Sequence, residues 1–361
     1  MALTYINEAQ PGMILSDDVY SAKGQLLARR QEILSSQMLQ HMKFYGVPLL
    51  PIQDDPVYAE DPQADLVGIE TQSQRIRHSK EYRAFRADYE IRTEFFENSL
   101  SDFVKKQEPL ECNELLQSAQ ELFARNTTTI GVLDMLHNMR EIDDSTYAHS
   151  MNVALISRVM GEWLNFPKEE LDTLTLCGLL HDIGKSSIPN HIISKPGKLT
   201  DEEYREIQNH PKYGFDLIKR QDIDDHIKLS ALMHHERCDG SGYPLQLTMD
   251  QLDPYAMIVS IADVYDAMTA DRCYRAGICP FDVIADFERN GLKKYHPQYI
   301  LVFLERIAST YVNSSVILND GTTGKIVLIH TGALTRPLIQ TGVTSFIDLR
   351  EQLDLYIKAI L

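Results

Sequence analysis

Apolar residues recur at helical intervals through most of the chain, and the rhythm changes at both ends. Lys168 opens a segment with Leu171, Leu174, Leu179 and Leu180 in register, running up to His181-Asp182. Asp144 or Ser145 is placed to cap a helix through Leu164, and Thr200-Asp201-Glu202-Glu203 reads as a capping box that opens a helix towards His210. Residues 222–236 and 254–270 supply two more helices, with 280–290 and 297–311 closing a bundle. Upstream, charged residues interleaved with Phe85, Tyr89, Phe95, Phe96 and Phe103 predict a helix over residues 78–104, which either packs on its own protein or dimerises.

The ends read differently. Pro11 to Leu15, Asp18-Val19-Tyr20 and Gly24 to Leu27 alternate short apolar runs with turn residues and predict two or three strands. A helix over residues 33–45 and a returning strand over 47–52 complete a small module, and the polar stretch 54–74, with Pro56 and Pro62, reads as a linker. After Ser314, the Asn319-Asp320-Gly321 turn between apolar runs is a hairpin signal. The predicted plan is mainly α: a mixed α/β module over 1–60, a linker and helical region over 61–127, a helical domain over 128–312 and a small β-rich appendage over 313–361.

Composition narrows the class without naming it. A chain of 361 residues with 43% hydrophobic and 24% charged residues is ordinary for a globular protein. No stretch has the length of a transmembrane span or the pattern of a signal peptide, which predicts a cytoplasmic protein with no membrane partner. Five cysteines, at 112, 177, 238, 273 and 279, form no CxxC and read as reduced thiols. A net charge of −17 argues against binding to nucleic-acid polymers. A small anionic substrate would need local positive charge from metals and a few basic residues.

Against that background the chain orders His149, the pair His181-Asp182, His210, the doublet His234-His235 and Asp263 on separate helical segments. Imidazole and carboxylate together suit iron, manganese or zinc, whereas thiolate and all-oxygen sites carry other signatures. A helical bundle builds a metal centre from such residues on facing helices. Any one of these histidines alone reads as a core or surface residue; the ordered set points to metal. The remaining seven of the twelve histidines, at 41, 78, 137, 191, 226, 296 and 330, have no comparable setting. An aspartate beside a histidine can bridge two cations with its two oxygens. Helical neighbours diverge by about 100°, so His234 and His235 are expected to address different sides of the cluster.

These residues, with Lys195-Pro196-Gly197, the run from His234 to Gly242-Tyr243-Pro244 and the stretch from Ala262 to Arg275, resemble the HD-GYP phosphodiesterases of the HD phosphohydrolase superfamily. The likeness covers about half the chain, and residues 6–52 resemble a region often found ahead of such domains. It implies an all-helical HD-type bundle that hydrolyses cyclic di-GMP to pGpG and/or GMP with two divalent cations, Fe or Mn. Such cations activate water and neutralise the charge growing at phosphorus. By this likeness His149, His181, Asp182 and Asp263 hold one cation, His210, His234 and His235 allow a second, and Asp182 bridges them. Asp182 and Lys185 are then catalytic, with Lys185 binding a phosphate oxygen or protonating the leaving oxygen; its alternative is a lysine complementing a helix C-terminus. Arg272 and Arg275 bind phosphate or are solvated helix-end charges. Asp266 orients a ligand or an arginine, and Tyr243 contacts substrate or shapes its loop.

The chain departs from the family pattern in places. Members with three metals carry a glutamate where this chain has Ser145, so two are expected. Cys273 stands where proline is usual, and His296 where aspartate is common. The alternatives are a catalytically silent protein that binds the dinucleotide or a diguanylate cyclase-type partner, and a phosphodiesterase for another cyclic dinucleotide such as cGAMP. A homodimer is compatible with either.

Overall fold

A computed structural model describes residues 2–6, 9, 13–20, 26–30, 32, 34, 38–39, 42, 47, 49–52, 79–106, 109–124, 136, 146–193, 195, 199–269 and 279–361. The chain divides into two compact units, Met1–Glu70 and Thr71–Leu361. In the first, β1 (Ala2–Tyr5) pairs antiparallel with β4 (Leu49–Ile52), and β2 (Val19–Tyr20) with β3 (Leu26–Ala28). Leu15, Leu34, Met42 and Leu50 are its fully buried core. The hydrophobic pattern does not flag β1. Of the helix predicted over 33–45, residues 38, 39 and 42 are helical and Leu34 is not, the rest lying outside the described residues; so does the predicted linker at 54–74.

The second unit is a helical bundle with a small sheet. Its helices are α1 (Lys80–Lys106), α2 (Cys112–Ala124), α3 (Thr146–Trp163), α4 (Lys168–Leu180), α5 (Asn190–Ile193), α6 (Asp201–Ile207), α7 (His210–Ile218), α8 (Asp225–Met233), α9 (Pro254–Thr269), α10 (Pro280–Asp286), α11 (Leu292–Lys294) and α12 (Pro297–Thr310). A short 3-10 turn, Ile183–Ser187, follows α4. The central helix is α3: Val153, Ala154, Leu155 and Ile156, four consecutive residues, are all buried, so its neighbours surround it. α1 lays Tyr82, Phe85, Tyr89, Phe96 and Phe103 against the chain's own bundle, and the Tyr89 hydroxyl lies 2.7 Å from Asn152 Oδ1 on α3. Each such buried aromatic contributes about 1.5–3 kcal/mol. Of the five aromatics that left packing and dimerisation open, four are buried in the chain's own bundle and Phe95 is exposed.

The helix predicted to open at Thr200 towards His210 is present, and a second one begins at His210. The Thr200 capping box forms, with Glu203 N donating to Thr200 Oγ1 (3.2 Å) and Thr200 N donating to Glu203 Oε2 (2.7 Å). The helix stops at Ile207, and His210 opens α7 with Pro211 at its first turn. Proline has no amide to donate and fits only a new start. At the C-terminus β5 (Ser315–Leu318), β6 (Thr323–His330), β7 (Ala333–Gln340), β8 (Phe346–Asp348) and β9 (Ile357–Ile360) form one antiparallel sheet in the order β8-β7-β6-β5-β9. Gly321, at φ +87°, turns the β5–β6 hairpin. Val316, Ile326, Ile339 and Leu349 bury one face of the sheet beside Phe281 of α10, so sheet and bundle share a unit. No helix among the described residues is long and apolar enough to cross a membrane.

Candidate metal centre

The ligands predicted from sequence stand at helix ends and on one helix face. His149 is in the first turn of α3, His181 and Asp182 follow α4 directly, His210 opens α7, His234 and His235 follow α8, and Asp263 and Asp266 lie on α9. Gly184 allows this meeting. A Cβ there would collide with the His210 carbonyl and the Gly214 backbone, so only glycine lets the turn after Asp182 lie against the start of α7.

Three of the imidazoles are held the same way. His181 Nδ1 lies 2.7 Å from Gly178 O, His210 Nδ1 2.7 Å from Ile207 O, and His234 Nδ1 3.0 Å from Ser230 O. Those carbonyls belong to the last turns of α4, α6 and α8, where carbonyls have spare acceptor capacity; Ser230 O also accepts from His234 N (3.1 Å). Donation from Nδ1–H fixes the tautomer and leaves each Nε2 lone pair facing the centre. His149 is oriented by a carboxylate instead, with Nδ1 2.9 Å from Asp266 Oδ2.

The donors form two sets that share Asp182. Ligand atoms of Asp182, His210, His234 and His235 lie within 4.8 Å of one another, as do those of His149, His181 and Asp182. Asp182 Oδ1 is 3.1 Å from His210 Nε2 and 3.7 Å from His234 Nε2; Oδ2 is 3.4 Å from His181 Nε2 and 3.7 Å from His149 Nε2. Asp263 spans the opposite side, with Oδ1 3.1 Å from His149 Nε2 and Oδ2 3.6 Å from His235 Nδ1. His234 and His235 therefore face different carboxylates but belong to one set. Of the seven histidines set aside, the four described ones, at 191, 226, 296 and 330, stand outside both sets.

Protonation follows from burial and neighbours. Burial pulls His234 down to about 4, and burial together with His234 holds His235 well below its ordinary value. Burial would raise Asp182, but Lys185 and His181 outweigh it and hold the carboxyl well below the usual range; Asp263 is held down against burial by its hydrogen bond to His149 and by His235. For His149 burial acts downward, yet Asp263 and Asp266 raise it to about 10. His234 and His235 are thus neutral beside the ionised Asp182 and Asp263, the state a divalent cation requires, whereas His149 holds a proton that a cation would displace.

Two orphaned atoms test the fit. His181 Nε2 and Asp182 Oδ1 are buried without a hydrogen-bond partner, in residues only 1% and 3% exposed. Leaving such atoms unsatisfied costs about 1–3 kcal/mol each, and a cation held by each donor set removes that cost. The cluster fits divalent metal.

Around it, Lys185 Nζ donates to Asp182 Oδ2, on the same side as the pair. A cavity of about 550 Å³ opens on Asp182 and Lys185, walled by α1, the first turn of α3 and residues 186–193. Tyr243 stacks on His235, with ring centroids 4.7 Å apart and planes at 29°. Arg272, Cys273, Arg275 and Ser145 lie outside the described residues. One participant was not anticipated: Glu236, 2% exposed, accepts from the backbone amides of Leu245 (2.6 Å), Gln246 (3.1 Å) and Leu247 (3.0 Å). It ties the Gly-Tyr-Pro loop to the residue after His235. Gly242 passes so close to Glu236 and Arg237 that a Cβ would strike their backbone.

A helical bundle that gathers five imidazoles and two carboxylates around one shared aspartate defines a metal-centred class of helical protein. A family model described as HD domain matches residues 112–299, and the chain belongs to the HD domain family. The resemblance to the HD-GYP branch, carried by His181-Asp182 and Gly242-Tyr243-Pro244, stands with it. Curated relatives include a cyclic di-GMP phosphodiesterase, PA4108, of Pseudomonas aeruginosa, 34% identical over 207 residues, covering 57% of this chain and 50% of that protein. A cyclic di-GMP phosphodiesterase of Thermotoga maritima is 30% identical over 254 residues, covering 68% and 65%. The 3'3'-cGAMP-specific phosphodiesterase 1 of Vibrio cholerae is 39% identical over 136 residues, covering 37% and 31%. The chain thus spans less than two thirds of the length of these relatives.

Proposed function

We propose that this chain hydrolyses cyclic di-GMP to pGpG and/or GMP, using two divalent cations, Fe or Mn. The observation that carries the reading is Asp182, which turns one oxygen to His210 and His234 and the other to His181 and His149. When bound, the cations supply an activated water and neutralise charge at phosphorus. The first would be held by His149, His181, Asp182 and Asp263, and the second by Asp182, His210, His234 and His235.

The chain's own groups then divide the remaining work. Lys185 stands at the open side of Asp182, on the cavity, where its ammonium can contact a non-bridging phosphate oxygen and give a proton to the departing ribose 3′-oxygen. Asp266 accepts from His149 Nδ1–H and keeps that ring aimed. Tyr243 fixes the plane of His235 by stacking, which favours the structural reading of this residue. Arg272 and Arg275 are assigned to the substrate phosphates, countering the net charge of −17. The test is a product assay on cyclic di-GMP with metal-loaded protein. Appearance of pGpG or GMP is expected, and intact cyclic di-GMP after full metal loading would refute the reading.

A further inference from the structure

The cavity that opens on Asp182 and Lys185 extends away from the donor atoms to a wall that no catalytic role explains. That wall comes from α1, more than fifty residues upstream of the nearest predicted ligand bar His149, and from the first turn of α3. Glu97, Ser101 and Lys105 follow each other at four-residue steps, so one face of α1 turns them all to the cavity. The ring of Tyr147, partly buried and set edge-on to Phe96 at 6.1 Å and 85°, lines the same cavity. Glu97 and Tyr147 thus line this one cavity. Glu97 and Lys105 are exposed.

We propose that Tyr147 and Glu97 form a guanine-recognition subsite, with Tyr147 as the stacking platform and Glu97 as the acceptor for the base edge. An aromatic face takes any base by stacking, and hydrogen bonds to its edge decide which base. A carboxylate has only acceptors. Guanine presents two adjacent donors, N1–H and the N2 amino group; adenine presents its N6 amino group beside the bare N1, whose lone pair faces the second carboxylate oxygen and repels it. The cavity volume falls within the range of small-ligand pockets, and Lys185 at one end with Lys105 on the α1 wall gives it two cationic groups for a dianion. α1 is thereby a specificity element for the base, while the metal cluster handles the phosphate. This inference rests on the proposed phosphodiesterase reading for its substrate, and its test does not.

The experiment measures calorimetric binding of GMP and of AMP to metal-loaded protein, for wild type, Glu97→Gln and Tyr147→Leu, with circular dichroism as the check on folding. Losing one charge-assisted contact weakens binding by about tenfold to a hundredfold. Glu97→Gln should therefore weaken GMP by that factor and leave AMP where it was, erasing the preference, whereas Tyr147→Leu should weaken both nucleotides together. In steady-state kinetics on cyclic di-GMP, Glu97→Gln should raise KM more than it lowers kcat. Absence of GMP binding in wild type, unchanged GMP binding in Glu97→Gln, or an equal loss of GMP and AMP in that variant overturns the subsite. If wild type leaves cyclic di-GMP intact while Glu97→Gln still loses GMP selectively, the subsite stands and the substrate assignment falls.

Discussion

Replacing Glu236 with glutamine keeps the shape of the side chain and removes one acceptor. In the wild type Oε1 accepts from Leu245 N and Gln246 N, and Oε2 from Leu247 N. Glutamine can present its carbonyl to the first two amides, but its NH2 then meets the Leu247 amide, donor against donor. An unsatisfied donor in a buried setting costs about 1–3 kcal/mol, and the two bonds that remain lose their charge assistance. The predicted loss of stability is about 2–4 kcal/mol by that reckoning, a large share of a domain's margin. Urea unfolding of the metal-free protein, compared between wild type and Glu236→Gln, reads it as a lower midpoint at unchanged slope. Because the loop carries Tyr243 onto His235, the same variant should also bind metal more weakly. A midpoint and a metal affinity both equal to wild type would refute the loop-anchoring role.

Further outcomes follow from neighbouring contacts. Asp266→Asn removes the carboxylate that accepts from His149 Nδ1–H, and metal affinity measured by chelator competition should fall about tenfold to a hundredfold; an unchanged affinity means that His149 is oriented otherwise. Arg272→Ala and Arg275→Ala should each raise the KM for cyclic di-GMP about tenfold to a hundredfold with metal content intact, and unchanged kinetics in both variants would mark them as solvated charges.

The helical frame was legible because its apolar spacing is long and regular. Lys168–Leu180 and Pro254–Thr269 each lie within a residue of their expected limits. The donor set was legible because paired histidines and aspartates in that order have few other uses. Three features were not. The role of the helix end before His210 was hidden: the capping box at Thr200 marks where that helix opens, but only the packed chain shows Ile207 O meeting His210 Nδ1. Glu236 reads in sequence as one more solvated acid, since nothing local reveals that three amides converge on it. The α1 wall is invisible for a different reason: Glu97 and Asp182 line one cavity through tertiary packing, which no spacing rule encodes.

The central claim is that one aspartate joins two cation sites. Its most direct measurement is metal content per chain, by mass spectrometry on protein purified without oxygen, for wild type and Asp182→Ala side by side with cyclic di-GMP turnover. Two cations per wild-type chain are predicted, with both the metal and the turnover lost in Asp182→Ala, since the substitution withdraws an oxygen from each donor set at once. An Asp182→Ala protein that keeps two cations and wild-type turnover would contradict the account.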